Sequence, residues 1–131
     1  MIRRLLQGKK SSLPGSTASS GVAPERVIRV TSKEGFKETY RAFAEQHPAI
    51  KARIKIFNEL KRLIPPGQLP AEMNDARLNA PLEDYRHCHL GEDIILIYTH
   101  EGDDVTLYTV CQHDELTGKR AKSMAKRLDQ L

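Results

Sequence analysis

No apolar stretch of this sequence approaches the roughly 20 residues that a bilayer-spanning helix needs. The longest, Ile94-Ile95-Leu96-Ile97-Tyr98, has the length of a strand, and no membrane partner is expected. Cysteine is scarce as well. Cys88 and Cys111 form no CxxC pair and no disulfide framework, so the expected compartment is a reducing cytoplasm. Residues 1–24 contain no acid; they hold Arg3, Arg4, Lys9 and Lys10 and so account for the whole net charge of +4. They also lack the apolar h-region of a secretory signal. Rich in serine, glycine and proline, they cannot bury enough apolar surface to offset the entropy of ordering, and a disordered basic tail is expected. The Arg- and Ser-rich composition suits an organelle transit peptide and an over-extended reading frame equally.

What remains suits one globular domain over residues 25–131: 39% of the chain is hydrophobic and 29% charged. The charge is uneven. Residues 32–64 carry eight bases against four acids, and residues 66–112 carry Arg77 and Arg86 against nine acids. Basic residues return after 113. Two basic regions flanking an acidic middle suit a polyanion touching selected faces, and equally suit solvated helix faces.

Alternation from Arg26 to Thr31 predicts a short strand. Thr31 or Ser32 can cap a helix whose apolar stripe is Phe36, Tyr40 and Phe43, running to about Gln46. Pro48 opens a second helix with the stripe Ile50, Ile54, Phe57, Leu60 and Ile64, ended by Pro65-Pro66-Gly67. Three strands follow: Leu82 to Leu90, a central Asp93 to Thr99, and an alternating Val105 to Gln112, joined by tight turns into an antiparallel meander. A last helix begins near Thr117-Gly118, with Ala121, Met124, Leu128 and Leu131 on one face and basic residues on the others. The order predicts an α+β fold: a helical hairpin on one face of a small, mainly antiparallel four-stranded sheet, plus a C-terminal helix. That helix is expected to pack back on the sheet through Met124 and Leu128. No internal repeat is visible.

Residues capable of chemistry gather at two strand ends. In Tyr85-Arg86-His87-Cys88-His89, alternation puts Tyr85, His87 and His89 on one face and Arg86 and Cys88 on the other. The second group is Cys111-Gln112-His113-Asp114-Glu115. Histidine titrates near neutrality, which suits general acid–base work, and a nearby carboxylate can orient an imidazole. A histidine at a strand end is also commonly just a hydrogen-bonded surface residue. His87, His89, Cys111 and His113 could alternatively ligate zinc from neighbouring strands, although the spacing matches no standard zinc signature.

The stretch from Leu69 to Leu116 resembles the YafQ-type toxins of the RelE/ParE superfamily from bacterial toxin–antitoxin modules. The resemblance rests on Asp75-Ala76-Arg77-Leu78 after a proline-containing linker, then Tyr85-Arg86-His87-Cys88-His89, Asp93, Leu96-Ile97-Tyr98 and Cys111-Gln112-His113-Asp114-Glu115-Leu116-Thr117. It implies a RelE-like fold and a ribosome-dependent endonuclease that cuts mRNA in the A site. The ribose 2′-hydroxyl attacks the adjacent phosphodiester, while the protein supplies a base, an acid and positive charge.

By that resemblance His89, Asp93 and His113 match the family's catalytic residues. Arg86 matches a basic residue of the motif and suits either a phosphate contact or a structural ion pair. Two positions depart from the pattern: Ala76 stands where the family has a histidine, and Thr117 where it has an aromatic residue. His87, expected on the face of His89, is a candidate substitute, as is Arg77. Arg77, Arg86, Lys119 and Arg120 are the candidate RNA contacts. No cofactor or metal is called for. The implied partners are a RelB/DinJ-like antitoxin, the ribosome and mRNA. The alternative is a catalytically degenerate relative that binds an antitoxin or a gyrase-type target without cutting RNA.

Overall fold

The strand Ile94–Glu101 (β4) has Ile94 through Tyr98 buried without a break. A strand apolar on both faces belongs in the middle of a sheet, covered on both sides. In the computed structural model, which describes residues 27–131, it does. The expected tail 1–24 lies outside the described residues. The elements run β1 (Arg29–Ser32), α1 (Phe36–Gln46), α2 (Ile50–Lys61), β2 (Ala76–Arg77), β3 (Arg86–His89), β4, β5 (Asp104–Gln112) and α3 (Gly118–Asp129). The strands form one sheet in the order β1-β5-β4-β3-β2, with β1 parallel to β5 and the other pairs antiparallel.

The expected α+β architecture is thus present with five strands rather than four. The additional strand is β2, two residues long, paired to β3 as Ala76↔His87 and Arg77↔Arg86. Two residues are too few to show alternation. The strand expected from Leu82 begins at Arg86, because Asn79 to Tyr85 forms turns closed by Leu82 N–H to Asn79 C=O and Tyr85 N–H to Leu82 C=O.

The helical hairpin covers one face. Phe36, Ala44, Ile50 and Phe57 pack with Cys88, Leu90, Leu96, Tyr98, Val105, Leu107 and Val110. Phe57 meets Tyr98 edge-on at 4.9 Å between ring centroids, the geometry aromatic quadrupoles prefer. α1 is not capped by Thr31 or Ser32. Its N-cap is Gly35 at φ 91°, which glycine adopts at little cost. α2 stops at Lys61, so Ile64 falls beyond the helix and is exposed. Gly67 turns tightly over the helix end: its N–H donates to the Leu60 carbonyl at 2.8 Å, and an added Cβ would come within 2.9 Å of the Leu60 side chain.

α3 covers the opposite face, burying Ala121, Met124 and Leu128 against Ile95, Ile97, Cys111 and Leu82. The expected packing through Met124 and Leu128 is what the fold adopts, while Leu131 is exposed.

One irregularity decides which side chains share a face. β5 pairs with β4 as Ile97↔Thr109 and then Tyr98↔Leu107, so Tyr108 is an extra, unpaired residue. A β-bulge of this kind shifts the alternation by one. Val105 and Leu107 face the hairpin before it; Val110 faces the hairpin and Cys111 the α3 side after it. Unbroken alternation would have sent Cys111 to the hairpin side with Leu107.

Candidate acid–base site on the sheet edge

Three of the chemistry-bearing residues come together on the α3 side of the sheet, where α3 leaves β3 uncovered. His87 and His89, two residues apart on β3, share this face, and their ring centroids lie 5.6 Å apart. His113 follows β5 at the start of a short 3-10 turn, and its ring lies 6.3 Å from that of His89. β4 separates the two strands, with Ile95 opposite both His89 and Cys111. The convergence therefore crosses the sheet at one end.

The surroundings of each ring differ. His87 is half-buried, and its Nδ1 lies 3.0 Å from the Ala76 carbonyl oxygen on β2. Burial holds its pKa below the ordinary histidine value; the Ala76 carbonyl opposes this, and His89 adds to the lowering. His89 is also held low, first by burial and then by repulsion from His113, with Glu92 and Asp93 pulling the other way. Its strand end is fixed from the far side, where Arg53 of α2 donates to the His89 carbonyl at 3.4 Å. His113 is exposed, and its backbone N–H donates to the Asp93 carbonyl at 3.1 Å. Asp93, in the β3–β4 turn, is exposed beside them.

A cleft of about 260 Å³ opens alongside, lined among others by Arg77, Asn79, His87, His113, Leu116 and Thr117. It brings Arg77 to the histidines. Lys119 and Arg120 follow directly in the first turn of α3 and are exposed, with Arg120 3.1 Å from Asp114 in a solvent-exposed pair. Cations at a helix N-terminus oppose the helix dipole, so these two detract from the stability of α3.

Arg86 is not brought to this site. It points to the hairpin side, where its Nε donates to the Tyr98 hydroxyl at 3.3 Å and its Nη2 lies 3.4 Å from Asp75. Strand parity had already set it opposite His89, and of its two sequence readings the ion pair is the one formed. Tyr98 in turn donates to Asp75, whose other oxygen lies 3.2 Å from the buried Lys61 ammonium. Burial would raise the Asp75 pKa, but the Tyr98 hydroxyl, Lys61 and Arg86 outweigh it and hold the carboxyl below its usual range. Burial, reinforced by Asp75, pushes the Tyr98 hydroxyl well up. Sequence reading missed this cluster. Its one signal was Arg86, for which a structural ion pair was one of the two readings.

The four-ligand zinc arrangement does not form. Cys111 lies under α3 and Cys88 under the hairpin, and burial pushes both thiols up to about 12. Among the described residues, no group of three or more His, Cys, Asp or Glu side chains is placed to hold a metal ion. Nor is any helix there long and apolar enough to cross a membrane.

Comparison with known proteins gives a family model, described as the bacterial toxin YafQ of type II toxin–antitoxin systems, that matches residues 28–118. Among solved structures, a metal-bound toxin from Helicobacter pylori is 22% identical with a TM-score of 0.56, the match covering 69% of this chain and 99% of that one. YafQ from E. coli strain BL21(DE3) is 20% identical at a TM-score of 0.54, covering 69% and 98%. The E. coli DinJ–YafQ complex gives 22% identity and 0.52, again covering 69% and 98%. At such identities the likeness is one of fold. No curated protein matches.

Proposed function

The chain belongs to the YafQ family of bacterial type II toxin–antitoxin toxins, and from that premise we propose that it is an endoribonuclease cutting mRNA in the ribosomal A site. The observation that carries the reading is the run of His87, His89 and His113 across one open end of the sheet, with Arg77 on the same cleft. Cleavage by a neighbouring 2′-hydroxyl needs a proton acceptor, a proton donor and cations for the charge that builds on the phosphorane. Neutral-range imidazoles serve the first two needs. His89, Asp93 and His113 carry over from the family motif. Arg77 supplies positive charge on the cleft of His87 and His113, which suits an RNA backbone, while Lys119 and Arg120 stand exposed at the start of α3 and outside that cleft's lining. Arg86 is assigned instead to holding Asp75.

E. coli YafQ has been solved in complex with DinJ, and a DinJ-type antitoxin is the partner proposed for this chain. A ribosomal target places its action in the cytoplasm.

The test is induced expression in bacteria with primer extension on a reporter message. Cuts in translated message that are absent from an untranslated version, and that vanish in His113→Ala, are the expected result. Growth arrest with intact message would replace this reading with the binding-only one, which the departures at Ala76 and Thr117 favour. Co-expression of a DinJ-type antitoxin should restore growth.

A further inference from the structure

We infer that His87 is the general base of the cleavage, accepting the 2′-hydroxyl proton on Nε2, and that His113 returns a proton to the leaving 5′-oxygen. The inference rests on the nuclease reading and assigns roles within it.

The first argument is tautomeric. A carbonyl oxygen only accepts hydrogen bonds, so the 3.0 Å contact between His87 Nδ1 and the Ala76 oxygen requires the proton on Nδ1. A neutral imidazole with Nδ1 protonated has its lone pair on Nε2. His87 is thus held as a ready base by the main chain of the adjacent strand, the orienting role a third group plays in hydrolytic triads. Half-burial keeps the neutral form in place at neutral pH, since it lowers the pKa. The charged and titratable neighbours are His89 on its own strand, Arg77 and Asp75 in and beside β2, and His113 after β5.

The second argument is placement. Ala76 is the cross-strand partner of His87, and its carbonyl oxygen is the one the imidazole meets. His87 and His113 both border the cleft, and His89 stands within ring-contact distance of each. In-line displacement puts the entering and leaving oxygens on opposite sides of phosphorus, so base and acid should be two rings with a third group between them. His89, repelled by a proton on His113, is suited to remain neutral and bond a phosphoryl oxygen.

The step balances. The 2′-oxygen forms a bond to phosphorus as its proton passes to His87 Nε2. The bond from phosphorus to the 5′-oxygen breaks as that oxygen takes a proton from the His113 imidazolium. The products are a 2′,3′-cyclic phosphate and a 5′-hydroxyl end, and exchange with water resets both rings.

Two measurements decide the matter. Single-turnover cleavage on bacterial ribosomes programmed with a reporter message, followed against pH, should fall by about 10²- to 10⁴-fold in His87→Ala. The rising limb of the profile should disappear, and added imidazole should restore part of the rate. Wild-type cleavage that is unaffected by His87→Ala overturns the base assignment and leaves the nuclease reading intact. No cleavage by the wild type overturns both. Should His87→Ala not fold, imidazole ¹⁵N spectra of the wild-type chain still decide: Nδ1–H in neutral His87 supports the assignment and Nε2–H ends it.

Discussion

The backbone N–H of His113 donates to the carbonyl oxygen of Asp93 at 3.1 Å, just beyond the final β4–β5 pair, Ile94↔Gln112. Main chain, not side chains, therefore sets how these two candidate catalytic residues stand to each other. His113→Ala and Asp93→Asn should leave the melting temperature near that of the wild type while cleavage falls by about 10²- to 10⁴-fold. Calorimetry and a ribosome-programmed cleavage assay on the same preparations would check this. Parallel losses of stability and activity would make the side chains structural.

The bulge at Tyr108 sets the facing of everything after it in β5. Tyr108→Ala keeps the residue count; it should remove the edge-on contact with Tyr85 (5.1 Å between centroids) and leave cleavage in place. Deleting Tyr108 takes out the extra residue, so Thr109, Val110 and Cys111 follow Leu107 in plain alternation and keep their partners Ile97, Leu96 and Ile95. Cys111 should stay under α3, His113 should stay beside His89, and cleavage should persist. A deletion variant that folds but no longer cuts message would show that the bulge itself is needed to place His113.

Asp75 joins Lys61, Tyr98 and Arg86 immediately before β2, the strand whose carbonyl holds His87. Asp75→Ala leaves a buried ammonium without its counter-charge, at a cost of about 3 kcal/mol. Tyr98→Phe should cost about 1–2 kcal/mol, because Asp75 loses one donor and keeps two cations. The double variant should cost less than the sum, since the groups form one network. Urea unfolding of the four proteins measures all three values, and strict additivity would refute the coupling.

Acid should unfold the chain in two stages. His87, His89 and His100 all have folded pKa values held down, first of all by burial. A lowered histidine value means that the unfolded chain binds more protons in the window below the ordinary value of about 6.5. Stability is therefore complete above that value, erodes as pH falls beneath it, and is gone once the folded values are passed. Asp75, also held down, contributes above its ordinary value of about 3.9 and loses this as pH falls through its folded value. Melting temperatures should decline as pH falls below about 6.5 and again as it falls below about 3.9. A curve flat through the upper interval would contradict the neutral histidine cluster.

The parts of this fold legible in the sequence were those with a period to read. Ile50, Phe57 and Leu60 announced α2, the unbroken Ile94–Tyr98 run announced a central strand, and Met124 with Leu128 announced how α3 docks. The shared face of His87 and His89 followed from parity within one strand. What could not be read was whatever parity or length failed to encode. β2 is two residues long, and the bulge at Tyr108 changes facing without changing composition. The Asp75 cluster joins residues from α2, the linker, β3 and β4, so no local pattern marks it. Motif resemblance carried His89 and His113 to one site across that hidden bulge, which alternation alone could not have done.

β1 and β5 lie side by side and parallel, although they stand at opposite ends of the sheet's run of sequence. The consequence is one of timing. While the chain is being synthesised, the hairpin emerges with no sheet to cover, and β1 has no strand to join until Asp104–Gln112 has left the exit tunnel. Closure of the sheet thus waits for β5, because pairings distant in sequence must await their later member. A chain that has not yet presented β5 therefore holds His87 and His89 without His113.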